Sequence, residues 1–431
     1  MMKTSRRSFL GASAALSLAP ARISAQTPAD EKVREDLLRY LDFGNKRAGG
    51  AGDNGCGEWL ESELAQAGYA VERQYYEVPF FEASTAELAC EDLAVSIYPQ
   101  PVVVPTGPQG LAGPLVRVDG HGQFAGSMKG AIALVDLPHA RWSSMLAPAV
   151  RAPIEAAFAA GATAAVAITH GPSGKVIALN ADGRGPMFPG PVALLAPDLA
   201  KDFLGAAMVR KVARLTIDGK GGMRKAFNLV GRMDRGKRHW LAVSTPRSGW
   251  FGCAAERGPG VAAWLELERW AAQALPDHNL SFLCNTGHEY EYLGAAEAMK
   301  EIAPPVDRTD FWLHIGANVA ARDWHVIAGV SPLPSVDSQR YLSVSPTLLP
   351  VARSIFAGQT GYEEPVSSDV LSAGELDEVI KAGYSPAAGV FGIHRYHHTA
   401  EDDARCFHVP ATVEATQGFR KLLETVALRS L

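Results

Sequence analysis

The densest run of reactive side chains lies near the C-terminus. There Phe391-Gly392-Ile393-His394-Arg395-Tyr396-His397-His398-Thr399-Ala400-Glu401-Asp402-Asp403 carries three histidines and three acids within ten residues. Histidines and carboxylates so close together are suited to holding a metal ion or to moving protons. Three other segments follow apolar runs that read as strands. The first is Thr245-Pro246-Arg247-Ser248 and its continuation through Glu256-Arg257 to Gly260. The second is Asn285-Thr286-Gly287-His288-Glu289-Tyr290-Glu291, and the third Gly316-Ala317-Asn318. In open α/β sheets, functional groups gather beyond the carboxyl ends of the strands, so these segments are expected to meet at one site.

The elements that must position them follow from the hydrophobic pattern. Asp30 to Leu41 and Cys56 to Gly68 read as amphipathic helices, and Ala70 to Tyr76 as a strand. From Lys225 onward strands and helices alternate. Strands are expected at Trp240 to Ser244, Asn279 to Cys284 and Phe311 to Ile315, and helices at Gly260 to Ala274 and Leu293 to Ile302. Continuous apolar strands separated by helices predict a buried, mixed and mostly parallel sheet in a three-layer α/β sandwich. Residues 86–221 differ in character. Short β-rich runs punctuated by Pro and Gly, with one helix at Ala152 to Ala160, predict an inserted unit with its own core.

The chain has 431 residues, 47% hydrophobic and 20% charged, with a formal net charge of −5, which suits a multi-domain globular protein. No basic field points to nucleic acid, and no apolar run reaches the roughly 18 residues of a membrane span. Residues 1–25 read as a twin-arginine export signal, from Ser5-Arg6-Arg7-Ser8-Phe9-Leu10 through an apolar stretch to Ile23-Ser24-Ala25. That predicts a periplasmic or secreted location, and passage in a folded state. The five cysteines are an odd number and match no zinc-knuckle spacing, and Cys253 and Cys284 read as small core residues.

Taken together, these motifs resemble the zinc-dependent aminopeptidase and glutaminyl-cyclase family. Gly260-Val261-Ala262-Ala263-Trp264-Leu265-Glu266-Leu267 is similar to the helix after that family's bridging aspartate. Thr286-Gly287-His288-Glu289 with Leu293-Gly294-Ala295 resembles its acidic pair and the tail that follows. Tyr396-His397-His398-Thr399-Ala400-Glu401-Asp402 resembles its closing histidine motif. Arg47-Ala48-Gly49 with the following helix and strand resembles its N-terminal unit, and residues 86–221 its protease-associated insert. The resemblance divides the mature chain into residues 26–85 and 222–431 of a catalytic-type domain around that insert.

The resemblance implies a zinc site, but half of it has been replaced. The first-histidine motif falls on Thr245 to Ser248 and the second aspartate on Gly316, so both private ligands of one metal are gone. The remaining metal would be held by Glu256, Glu289 and His398, three ligands and an open water position. The general base of the family falls on His288, with Glu291 or Asp402 as possible support. Glu289 is the other residue expected to take part in acid–base chemistry. Arg247 and Arg257 are expected to face the vacated metal space, where guanidinium groups can bind a carboxylate or stabilise an oxyanion.

Three readings follow. One is a single-zinc hydrolase acting on an amide bond of a small peptide or acyl-amino-acid-like substrate. Another is a metal-free enzyme using His288, Glu289 and the arginines. The last is an inactive relative that binds a peptide or carboxylate ligand. Among the other polar residues, one of His394 and His397 is expected to be a structural partner. Asp337-Ser338-Gln339-Arg340 reads as a solvated loop, His121 and His170 as surface residues, and Tyr75, Tyr76, Phe80 and Phe81 as core. Ser248 lacks the context of a nucleophile elbow.

Overall fold

The computed structural model describes residues 28–429, so the segment read as an export signal lies outside the described residues. Among the described residues fourteen strands join in one sheet, and Arg322–His325 and Ser331–Val336 form a separate two-stranded ribbon. The centre of the large sheet is parallel: Ala387–Gly392, Thr309–Ile315, Trp240–Pro246 and Asn279–Asn285 lie side by side. Val212–Met233 continues the sheet antiparallel to Asn279–Asn285 and pairs along nearly its whole length with Ala70–Cys90. The segments before and after residues 86–221 therefore share one sheet, and the architecture is the expected mixed α/β sandwich.

Both faces of the central strands are buried, which is why they read as unbroken apolar runs. Leu241, Val243, Leu280, Phe282, Phe311 and Leu313 pack on one face with Leu60, Trp264 and Phe419 from three helices, Ala51–Gln66, Ala254–Ala274 and Val409–Arg429. The intervening Ala242, Leu283 and Trp312 pack on the other face with Ala298, Leu376 and Val379 from helices Leu293–Glu301 and Leu376–Lys381. This is the two-residue period of a strand with both sides covered.

The inserted stretch repeats the plan on a smaller scale. Leu111–Asp119, Ile132–Asp136, Ala164–Ile168 and Val192–Leu195 form a parallel run. Ala133, Val135, Ala165 and Ala167 face Ile154 and Ala157 of helix Pro148–Ala159. Ile132, Leu134, Val166 and Ile168 face Phe203 of a second helix, Pro197–Met208, which the sequence pattern had not suggested. Among the described residues no helix is long and apolar enough to cross a membrane.

Several local expectations need correction. Tyr75 is exposed, and Phe80 and Phe81 are half-buried against a cavity of about 420 Å³ instead of lying in the core. In the loop read as solvated, Asp337 and Arg340 are buried. Arg141 of the inserted stretch donates to Asp337 Oδ2 at 2.8 Å.

Candidate active site

The helix Ala254–Ala274 carries buried Glu256 and Arg257 in its first turn, because it starts more than a turn earlier than its apolar pattern suggests. Asp402, from the histidine-rich loop, makes that start possible. Its Oδ1 accepts from Ala255 N at 2.9 Å and its Oδ2 from Glu256 N at 3.0 Å. Free N–H groups and the positive end of the helix dipole favour a carboxylate there. The same loop is thereby tied over Glu256. His394 Nε2 lies 3.4 Å from Asp402 Oδ2.

His398 is clamped by Ala178 of the inserted stretch. Its Nδ1 bonds to the Ala178 carbonyl at 2.8 Å, and its own carbonyl accepts from Ala178 N at 2.9 Å. This holds His398 at φ 58, a strained position for a side-chain-bearing residue. Its other ring nitrogen, Nε2, lies 3.3 Å from Glu256 Oε1. The His397 ring stacks on His398 at 3.9 Å, and ligand atoms of Glu256, His397 and His398 all lie within 4.8 Å of one another.

This donor set fits a cation. Both oxygens of buried Glu256 and the Nδ1 of His397 lack hydrogen-bond partners. The 3.3 Å edge is close to the roughly 3.3 Å expected between tetrahedral ligands about 2.0–2.1 Å from zinc. Burial alone would raise the Glu256 carboxyl. Arg257, His398 and His397 outweigh it and hold the group well below the usual range. His397 is kept neutral by burial and then by the charge of His398.

The expected ligand Glu289 stands apart from this cluster. Its Oε1 accepts from Ala48 N at 2.6 Å and its Oε2 from Ser248 Oγ at 2.7 Å, and burial raises its carboxyl. His288–Tyr290 form a 3-10 turn, in which successive side chains diverge by about 120°, so His288 and Glu289 do not face the same way. His288 takes the cleft side. Its Nδ1 is 3.1 Å from Glu375 Oε1, whose other oxygen accepts from Asn285 Nδ2 at 2.8 Å. Burial, then the charge of Arg257, keeps His288 well below its ordinary value.

Glu375 precedes a short helix, in a part of the chain where no motif marked it. The carboxylates expected to support His288 are otherwise engaged: Glu291 bonds to Ser144 Oγ, and Asp402 caps the helix.

The two arginines part company. Arg257 Nη2 is 2.8 Å from Glu256 Oε1 and its Nε donates to the Ser248 carbonyl. Its positive charge is felt by His288, His314 and Glu375, so it lies among the site's groups. Arg247, expected in the vacated metal space, points away instead. It is fully buried, pairs with Asp53 Oδ1 at 3.0 Å, donates to the Phe227 carbonyl at 2.7 Å and covers the Phe227 ring.

The two positions read as replaced ligands, Thr245 and Gly316, have other roles in the packing. Thr245 Oγ1 is bonded to the Ile315 carbonyl. A Cβ on Gly316 would meet the Val390 carbonyl oxygen at 2.3 Å, so a carboxylate cannot be restored there without moving the strand.

The cleft above these groups has a volume of about 470 Å³. His288, His314, His397 and His398 line it, with Arg141, Ser143 and Asn180 reaching in from the inserted stretch. Ser244 Oγ accepts from Trp312 Nε1 at 2.8 Å and lies 2.9 Å from His314 Nδ1. Burial, against the pull of Glu375, lowers His314 to about 4.

A sheet of this order with its reactive groups past the strand ends is the fold of the zinc aminopeptidases. A zinc aminopeptidase from Bacillus subtilis superposes with a TM-score of 0.71, at 16% identity over 93% of this chain and 96% of that one. A peptidase precursor from Shewanella amazonensis gives 0.71, at 17% identity over 93% of each chain. An aminopeptidase from Aneurinibacillus sp. strain AM-1 gives 0.66, at 13% identity over 92% and 93%. No family model and no curated protein matches the sequence.

Proposed function

We propose that the chain is an exported hydrolase that cleaves an amide bond in a small peptide or acyl-amino-acid-like substrate with the help of one zinc ion. The observation that carries this is the buried cluster of Glu256, His397 and His398, whose ligand atoms all lie within 4.8 Å of one another, with Arg257 as the other group on Glu256. A carboxylate and two imidazoles so placed form a donor set that zinc accepts. Glu256 and His398 would hold it, with His397 in place of the Glu289 that the family resemblance implied. Zinc bound there supplies a Lewis acid for the carbonyl and lowers the pKa of a bound water.

The chain's own residues supply the rest. Glu375 fixes the His288 ring by accepting from Nδ1–H, leaving Nε2 free toward the cleft to take a proton from the attacking water. The water oxygen joins the carbonyl carbon, the C–N bond breaks, and the proton held by His288 passes to the departing nitrogen. Arg257 offers a fixed positive charge as negative charge develops. Glu289 braces the turn that carries His288 through Ala48 and Ser248.

A second reading has its own observation in favour. Arg257 already sits on Glu256, so its guanidinium could be the only cation of a metal-free site. Turnover of an amide panel with and without a chelator separates the two. The zinc reading predicts activity that chelation abolishes and zinc restores. His288→Gln should lower kcat at least ~100-fold with little change in zinc content. No turnover across the panel would leave a ligand-binding protein. Export is tested by cell fractionation: Arg6→Lys with Arg7→Lys should retain the chain in the cytoplasm.

A further inference from the structure

We infer that the cleft selects amides whose amino end is acylated and whose adjoining side chain is apolar, and that it discriminates against a free α-amine. This rests on the hydrolase reading above and names its substrate class.

The argument is one of charge. Among the described residues that line the cleft there is no aspartate and no glutamate. Besides the neutral phenols of Tyr292 and Tyr341, the ionisable groups on its wall are Arg141 and four histidines, and an imidazole carries no negative charge in either protonation state. Carboxylates near the cleft are already committed. Glu256 is engaged by Arg257 and His398, Glu375 by Asn285 and His288, and Asp337 by Arg141. A free α-amine is largely an ammonium at neutral pH, and losing its water without an anionic partner is costly.

An acylated nitrogen has no charge, and its carbonyl needs only donors. Donors are what the wall provides. Asn180 has its Oδ1 occupied by Trp250 Nε1, which leaves its amide N–H groups, and Arg141 and the histidine rings stand on the same lining. The opposite wall is apolar. Tyr341 stacks on Phe391 with ring centres 5.6 Å apart, beside Leu371 and Ile393. Leu371 is 41% exposed, an open surface for a side chain the size of leucine.

The test compares leucine p-nitroanilide with N-acetyl-leucine p-nitroanilide on the zinc-supplemented full chain. In parallel, calorimetry measures leucinamide and N-acetyl-leucinamide binding to the His288→Gln variant. The expected result is a kcat/KM at least ten-fold higher, and binding at least ten-fold tighter, for the acetylated member of each pair. Cleavage of the free amine at an equal or higher rate would overturn the inference and leave the hydrolase reading intact. No turnover of either anilide, with acetylated binding still favoured, would overturn hydrolysis and leave the selectivity standing. Binding of neither amide would overturn the inference. As a second probe, Gln339→Glu places one carboxylate on the exposed rim of the cleft. It should raise the relative kcat/KM for the free amine several-fold, and an unchanged ratio counts against the charge argument.

Discussion

Replacing Asp402 by asparagine tests how the site is assembled. Asp402 accepts one hydrogen bond on each oxygen from the first turn of the helix that carries Glu256. Asparagine keeps one acceptor but sets an NH2 group against the Glu256 N–H, and it removes the charge that complements the helix dipole. One lost charge-assisted hydrogen bond is worth about 1.5–3 kcal/mol, and the dipole contribution about 0.3–1 kcal/mol, so the change should cost about 2–4 kcal/mol. The loop it anchors also carries His397 and His398, so zinc affinity should fall by roughly 10–100-fold, as when a supporting partner of a metal ligand is lost. Urea denaturation in chelator measures the first effect, and competition with a chromophoric zinc chelator the second. A variant that loses stability but keeps full zinc affinity would refute the claim that this cap positions the histidines.

Other perturbations address single features. Glu268 is buried without hydrogen bonds, and desolvation, eased only in part by Arg269, pushes its carboxyl from about 4.5 up to about 8. The stability of its protonated form is full below pH 4.5 and is lost as pH rises toward 8. Glu268→Gln should therefore stabilise the chain at pH 8 and flatten that slope by up to about 1.4 kcal/mol per pH unit, read from denaturation midpoints between pH 5 and 8. Arg247→Met leaves Asp53 buried and unpaired, so it should destabilise by about 3–5 kcal/mol. An unchanged melting temperature with a raised KM would mean the arginine serves substrate after all. Gly316→Asp should destabilise by at least about 1–3 kcal/mol through its clash with the Val390 carbonyl and recruit no second metal. A well-folded variant with doubled zinc content would contradict that.

The sandwich was legible because strands buried on both faces, such as Trp240–Pro246 and Asn279–Asn285, leave continuous apolar runs. Helix Pro197–Met208 was less visible among Pro, Gly and Ala-rich segments. Glu256, Arg257, His288 and His398 could be named from motif order. The orientation of Glu289 could not, because a one-residue step in a tight turn decides which of two neighbours faces the cleft. Arg247 shows the same limit: a polar side chain past a strand end can turn inward once a buried partner such as Asp53 is present. Glu375 reaches His288 across 87 positions of sequence, and Arg141 comes from the inserted stretch, so neither carries a local signal.

Zinc content is the most direct test of the central claim. Elemental analysis of the purified chain should find about one zinc ion per chain, as expected for a mononuclear catalytic site. Glu256→Gln, His397→Ala and His398→Ala should each lose it, while Glu289→Gln should keep it, since Glu289 is bonded to Ala48 and Ser248 away from the cluster. A metal-free chain that hydrolyses amides at full rate in the presence of a chelator would contradict the account and leave Arg257 as the cation of the site.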